Sequence, residues 1–404
     1  MKNKILIFLG LVAIVLSGFI VPVNALSLTP SDSSLNNDDY LERNWARVAL
    51  ATEVQTTIND YYNIKDVYND TYPTYFGGMY ISDDATNLII QIVEKNIPSV
   101  DSEEFDIYNK IISMDNAIKI EYVNNSFNEL NDVNNYISEN LFTSSSKKQI
   151  ITSTYLDIMN NAVNVELVNN NLTQQITVKN ALSKTRNAIN LDVIKFSKAK
   201  DYTTSSDLNA GGKYLRVAGQ NDNYCSMGMR VKYNGNNGYL TAGHCAKGFS
   251  SFPSGTVQVV QFATNQKYDY AFIKTNSSYT PTNNLQSYSN SPSNITKLGL
   301  VNYCPTITVN MAISKAGAKT GYTTGKVTGL NQTVTYSDVN VTLKGMIKSN
   351  VYQAKGDSGG VVMIPRTDSN GGAIGLGILS GGINNGNLMY FSDLNVLPGL
   401  QNRY

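Results

Sequence analysis

The chain has 404 residues, 16% of them charged, and a formal net charge of +1. One histidine and three cysteines are too few for an ordinary His/Cys metal site, and no zinc spacing, phosphate-binding loop or nucleic-acid motif is present. A metal, a cofactor and a nucleic-acid partner are therefore not expected.

Met1 to Ala25 reads as an export signal. Lys2 and Lys4 form its positive end, Ile5 to Val21 its apolar core, and Val23-Asn24-Ala25 a small-residue cleavage site. The apolar core is long enough that an uncleaved membrane anchor is the alternative. No later stretch reaches the length of a spanning helix, so a soluble product is expected outside the cytoplasm, secreted or held at the cell surface.

Residues 26–208 differ in kind from the C-terminal half: no cysteine, few glycines, and most of the acidic residues. Tyr40 to Tyr62 carries Leu41, Trp45, Val48, Leu50 and Val54 near helical spacing. Glu103 to Tyr122, with Phe105, Ile107, Ile111 and Ile112, and Ser126 to Leu141 are further predicted helices. Short alternating runs at Thr154 to Met159 and Val163 to Val168 flank Asn160-Asn161, a hairpin signal. A helix from Thr173 to Asn190 and a short run near Leu191 to Phe196 complete an α+β unit.

The charge is unevenly divided. Residues 27–208 hold 14 Lys/Arg and 25 Asp/Glu, a net of −11, whereas 209–404 hold 16 and 6, a net of +10. Opposite, nearly matched halves favour mutual docking; the alternative is that each is charged for its own solubility. The window 197–212 reads as the junction: polar Thr203-Thr204-Ser205-Ser206, then Leu208-Asn209-Ala210-Gly211-Gly212.

Residues 209–404 read as many short strands: Met229 to Tyr233, Tyr239 to Thr241, Val257 to Phe262, Ala271 to Lys274, Val327 to Leu330, Thr333 to Tyr336 and Gly375 to Leu379. Asn234-Gly235 and Asn385-Gly386 mark turns. The pattern fits two antiparallel β-barrels with a site in the cleft between them.

Three blocks carry chemistry. Gly356-Asp357-Ser358-Gly359-Gly360 puts a serine in a turn whose N–H groups can converge beside its oxygen, which is what acyl transfer needs. Thr241-Ala242-Gly243-His244-Cys245 holds the sole histidine, the one imidazole available as a base near neutrality. Asp269, in Tyr268-Asp269-Tyr270-Ala271-Phe272-Ile273, stands at the mouth of an alternating run. His, Asp, Ser is the chain order of chymotrypsin-type triads and not of subtilisin-like or α/β-hydrolase enzymes.

With Ser380-Gly381-Gly382, these blocks resemble the bacterial chymotrypsin-fold serine proteases of the streptogrisin and α-lytic protease type, from about Asn209 to the C-terminus. Lys315 to Gly321 and Thr324 to Val327 are similar to that group's Gly-Thr-Gly-rich hairpin. The resemblance implies two six-stranded-type barrels, preceded by an α+β pro-region that is cut off within 197–212 by the enzyme's own active site. It implies Ser358 as nucleophile, His244 as base, Asp269 as the imidazole's partner, and the Gly356 and Ser358 N–H groups as the oxyanion hole. Ser380, Gly381 and Gly382 would form the edge that pairs with an extended substrate, Ser380 also supporting Asp269. Asp357 is expected to brace the turn.

The resemblance also implies a Cys225–Cys245 disulfide behind the histidine. Closing that loop contributes roughly 3 kcal/mol, mainly by restricting the unfolded chain. Cys304 is left as an expected buried thiol, pairing with another molecule being the alternative, and Ala354 stands where the group often has a further cysteine beside its specificity pocket. Tyr352 to Lys355, Gly381-Gly382 and Asn387 to Met389 would line that pocket. They hold no acidic residue, and no second histidine exists, so apolar or aromatic residues are expected before the cut. The expected partners are polypeptide substrates and the chain's own pro-region, the mature enzyme being a monomer. Two other readings stand beside this endopeptidase: a catalytically silent binding or surface module, and an esterase using the same triad.

Overall fold

The computed structural model describes residues 38–141, 150–185, 191–198, 203–204, 225–252, 254–277, 281–282, 284–286, 288–291, 295, 297–298, 305–365, 372–397 and 400–403. The expected export signal, most of the junction and Cys304 lie outside them.

The N-terminal half runs α1 (Asp38–Tyr62), β1 (Phe76–Ile81), β2 (Leu88–Val93), α2 (Glu103–Ile112), β3 (Ile118–Val123), α3 (Phe127–Asn140), β4 (Ile151–Asp157), β5 (Ala162–Leu167), α4 (Leu172–Thr185), β6 (Ile194–Lys198) and β7 (Thr203–Thr204). The Ser126 hydroxyl and Glu129 cap α3 reciprocally, so that helix begins where the sequence predicts. The expected helix Glu103 to Tyr122 is corrected. It stops at Ser113, and Ile118, Ile120 and Tyr122 instead join β3, parallel to β2. After the break at Asp115-Asn116, period-2 alternation takes over from helical spacing. The Asn160-Asn161 signal is a tight connection with Asn161 left-handed (φ 45°), joining β4 to β5.

The C-terminal half runs β8 (Arg230–Tyr233), β9 (Asn236–Thr241), α5 (Gly243–Ala246), β10 (Ser251–Phe252), β11 (Gly255–Gln261), β12 (Tyr270–Thr275), β13 (Lys297–Leu298), β14 (Ala312–Gly317), β15 (Gly321–Tyr336), β16 (Val341–Ser349), β17 (Val361–Pro365), β18 (Gly372–Gly382), β19 (Met389–Asp393) and β20 (Leu400–Arg403). Six strands form one antiparallel sheet in the order β10-β11-β12-β9-β8-β20. β14, β17, β18, β19, β16 and β15 pair in a closed antiparallel ring. Val327 to Leu330 and Thr333 to Tyr336, read separately in the sequence, are parts of the one long strand β15.

That strand outruns its ring. Its far half pairs with β4, Leu330 opposite Leu156 and Thr333 opposite Thr154, so β4-β5-β6 extend the ring's sheet into the N-terminal half. The seam is knitted by side-chain amides and hydroxyls. Asn134 Nδ2 donates to the Asn331 carbonyl at 3.0 Å, Asn331 Nδ2 to Asn131 Oδ1 at 3.1 Å, and Gln332 Nε2 to the Thr154 carbonyl at 2.9 Å. One ion pair there is nearly enclosed: Lys348 Nζ lies 2.8 Å from Glu166 Oε1, with the side chains 10% and 8% exposed. The Lys267–Asp66 pair is half exposed at 3.9 Å. Charge complementarity thus contributes one buried pair to a seam made largely of neutral hydrogen bonds.

Candidate active site

The antiparallel pairing of β9 with β12 sets Thr241 opposite Ala271. His244, three residues beyond Thr241, and Asp269, two before Ala271, therefore emerge at the same edge of the sheet. Asp269 is fully buried. His244 Nδ1 is 2.6 Å from Asp269 Oδ2, and the His244 backbone N–H donates to Oδ1 at 3.0 Å. Ser380 Oγ donates to Oδ2 at 2.6 Å. Since its one proton goes to Asp269, Ser380 accepts from the Tyr336 hydroxyl, 2.8 Å away. Burial, reinforced by the Asp269 charge, pushes the Tyr336 phenol well above its ordinary range, which keeps that donor protonated. Ser392 Oγ holds the Asp269 backbone from both sides, accepting from its N–H at 2.8 Å and donating to its carbonyl at 3.0 Å. Phe262 packs beside the imidazole, ring centroids 5.4 Å apart.

Ser358 comes from the closed ring, in the turn that leads into β17. Leu379 accepts from the Gly359 N–H at 2.8 Å and donates to the Gly360 carbonyl at 2.9 Å, which brings the turn against β18. Ser358 is buried, and its hydroxyl donates to the Ser380 carbonyl at 2.9 Å. His244, Asp269, Ser358 and Ser380, four residues spread over 136 positions of sequence, are thereby linked through Ser380.

The turn's conformation needs glycine at Gly359, where φ is +84° and a Cβ would lie 2.2 Å from the Ser226 carbonyl oxygen. Gly356 has φ 109°, and its carbonyl accepts from Ser226 Oγ at 2.9 Å. The N–H groups of Asp357, Gly359 and Gly360 are bonded to the Ala354, Leu379 and Asp357 carbonyls. Among the described residues, those of Gly356 and Ser358 take no hydrogen-bond acceptor. They are the two donors that the resemblance implies for a developing oxyanion.

Asp357 ties the turn to the connection between β14 and β15. Its Oδ1 accepts from the Lys319 and Thr320 N–H groups, both at 3.0 Å; its Oδ2 accepts from the Ala354 N–H at 3.0 Å and from Thr320 Oγ1 at 2.6 Å. Lys315, fully buried, completes the cage with Nζ 3.1 Å from Oδ2. Its other donors go to the Gly321 carbonyl at 2.9 Å and to Thr320 Oγ1. Burial pushes the Lys315 ammonium below its ordinary range, against the opposing pull of Asp357. Sequence reasoning missed Lys315, Tyr336 and Ser392. No local motif marks them, because each works through a partner dozens of residues away.

Cys225 and Cys245 form a disulfide, Cα atoms 6.1 Å apart, directly behind His244. Gly381 and Gly382 lie in β18 and pair antiparallel with Thr204 and Thr203, so a segment of the chain itself takes the position of an added strand at this edge. No helix among the described residues is long and apolar enough to cross a membrane.

No protein-family profile matches the chain. It is similar to streptogrisin-A of Streptomyces griseus, with 34% identity over 178 residues, covering 44% of this chain and 53% of that protein, about half its length. It is also similar to serine protease 2 of Streptomyces fradiae, with 31% identity over 182 residues, covering 44% of this chain and 95% of that protein. Glutamyl endopeptidase 2 of S. griseus is 31% identical over 39% of this chain and 78% of its own. Among solved structures, Cellulomonas bogoriensis chymotrypsin aligns with 28% identity and a TM-score of 0.34, over 48% of this chain and 93% of its own. The curated relatives lead to one assignment: over roughly half its length, the chain belongs to the serine proteases of the streptogrisin type.

Proposed function

We propose that the chain is the precursor of a secreted serine endopeptidase. Ser358 attacks a peptide carbonyl while His244 takes its proton and later passes it to the leaving amine. Asp269 holds the imidazole in the tautomer with the proton on Nδ1 and stabilises the imidazolium. For attack, the Ser358 hydroxyl turns from the Ser380 carbonyl toward His244. The Gly356 and Ser358 N–H groups bind the oxyanion. The observation that carries this reading is the buried chain of hydrogen bonds from His244 through Asp269 to Ser380, with Ser358 on the Ser380 carbonyl.

Residues 26–208 act as a pro-region that remains docked after cleavage in the 197–212 window. The pairing of Thr203-Thr204 with Gly381-Gly382 supports self-processing, since the junction already lies along the edge an extended substrate would use. The absence of an acidic residue from Tyr352 to Lys355, Gly381-Gly382 and Asn387 to Met389 favours apolar or aromatic residues before the cut.

The test is labelling of the secreted product with a serine-reactive fluorophosphonate, together with casein digestion and N-terminal sequencing. Wild type is expected to label, digest casein and begin within 197–212. Ser358→Ala is expected to do none of these and to accumulate uncut. Normal processing of Ser358→Ala would assign the cut to another protease, and an unlabelled wild type would overturn the catalytic reading.

A further inference from the structure

We infer that Tyr268 is a positioning residue for Asp269: its buried side chain locks a left-handed backbone that aims the carboxylate at His244 and Ser380. The inference rests on the endopeptidase reading above and adds a residue to its machinery. Among the described residues, eleven other than glycine have positive φ. Nine are asparagines, whose short polar side chain tolerates that region, and one is Ala85. The eleventh is Tyr268, with φ 67°, directly before Asp269. A bulky side chain in this conformation is unfavourable and persists only where surrounding contacts impose it.

Those contacts come from the closed ring of strands, although Tyr268 belongs to the connection from β11 into β12. On the backbone, the Tyr268 N–H donates to the Lys344 carbonyl at 3.1 Å and the Lys344 N–H to the Gln266 carbonyl at 3.0 Å, a parallel bridge that ties Lys267 to β16. On the side chain, the phenol lies against Gly345, where a Cβ would come within 2.8 Å of Tyr268 Cε1. Tyr268 is 8% exposed and shares a buried cluster with Tyr233, Tyr270 and Phe272. With Asp66, Tyr68, Lys267 and Asp393 it also lines a cavity of about 810 Å³ at the seam.

The residue that follows is held just as firmly. Ser392 on β19 bonds both the N–H and the carbonyl of Asp269, and His244 and Ser380 bond its carboxylate. Tyr268 therefore stands between a fixed point on β16 and another on β19, and its left-handed backbone supplies the turn between them. Relaxing it to an extended conformation would rotate the Asp269 peptide and swing the carboxylate off His244 Nδ1. Since Asp269 stabilises the imidazolium, a loosened carboxylate lowers the pH at which His244 gives up its proton. The other titratable groups facing the imidazole are the Tyr336 phenol, behind Ser380, and Lys247, with Nζ 5.3 Å from the centre of the Phe262 ring. Both are kept in every variant below.

The test compares Tyr268→Phe, Tyr268→Ala and Tyr268→Asn in the full-length, naturally processed protein, with active concentrations set by fluorophosphonate titration of Ser358. Phenylalanine keeps the aromatic contact with Gly345. Alanine loses it and disfavours the left-handed backbone; asparagine loses it but accepts that backbone. Tyr268→Ala is expected to lower kcat at least about tenfold, keep KM within about threefold, and move the acid limb of kcat/KM down by at least about half a pH unit. Tyr268→Phe is expected to stay within about twofold of wild type in kcat, and Tyr268→Asn within about threefold, both with the limb restored. A side chain that only fills space would give the opposite order, polar asparagine no better than alanine, and would leave the limb where it is. That order, an unmoved limb in Tyr268→Ala, or a Tyr268→Phe enzyme as slow as Tyr268→Ala would overturn the role of Tyr268 and leave the endopeptidase reading intact. Failure of wild type to label at Ser358 would overturn both. If Tyr268→Ala yields no titratable enzyme, Gly345→Ala, whose methyl group meets the phenol, decides: a downward shift of the acid limb supports the role and an unmoved limb overturns it.

Discussion

Lys315 offers the most demanding test of how the nucleophile turn is held. Lys315 and Asp357 are both fully buried, 3.1 Å apart, and Asp357 fixes the backbone that carries the Gly356 and Ser358 N–H groups. Lys315→Met removes the cation and leaves a carboxylate enclosed in protein. Breaking such a pair from one side costs about 3–5 kcal/mol. Asp357 keeps four other donors, from Ala354, Lys319 and Thr320, so the lower end, about 3 kcal/mol, is expected. That is a large share of a stability of roughly 5–15 kcal/mol. If the turn shifts enough to misplace one oxyanion donor, kcat falls about a hundredfold or more. Lys315→Met/Asp357→Asn removes the stranded charge and should regain part of the stability. The assays are denaturant unfolding and kcat per fluorophosphonate-titrated site. Lys315→Met within about 1 kcal/mol of wild type, with kcat within about twofold, would refute the idea that the ion pair shapes the turn.

Gly359→Ala should nearly abolish activity and destabilise the fold, because the new Cβ meets the Ser226 carbonyl oxygen and Thr241 Oγ1 at 2.2 and 2.3 Å; a crystal structure with an unmoved turn would contradict this. Tyr336→Phe removes the donor to Ser380 and should lower kcat about tenfold while KM stays within about twofold, read from progress curves on one peptide. Glu166→Gln strands the Lys348 ammonium at the seam and should weaken binding of residues 26–208 to the processed enzyme by about a hundredfold, measured by titration in trans. Burial pushes the Tyr239 and Tyr322 phenols up to about 12. The unfolded chain loses those protons first, from about pH 10, so their stabilisation is complete below that and is lost as pH rises through about 12. Unfolding midpoints that stay level from pH 9 to 12 would contradict the assignment.

The reactive groups are legible because each sits in a local sequence signal: glycines around Ser358, the lone imidazole in its small-residue frame, and Asp269 before an alternating strand. The supports are not. Lys315 lies in β14, where all six residues are buried, and nothing local distinguishes an enclosed lysine from one on a solvated face. Tyr336 and Ser392 depend on register between strands far apart in sequence. In the N-terminal half, helical and alternating spacing overlap around Ile111 to Tyr122, so the apolar pattern carries a helix past its true end. The charge imbalance fits docking or separate solubility equally as a local signal, and beyond the Lys348–Glu166 pair the described seam uses Asn, Gln, Ser and Thr, whose pairings leave no periodic trace.

The shared strand β15 has a consequence for timing. Severing the covalent connection at the junction would leave the Asn331, Gln332 and Thr333 contacts in place, along with the β4 pairing, so the scission itself liberates nothing. Freedom requires those amides to find water together, or the acidic half to be destroyed where it sits. If the chain is processed as proposed, the moment of cutting and the moment of becoming active are then separate events, and the second is governed by how fast the N-terminal half can be dismantled.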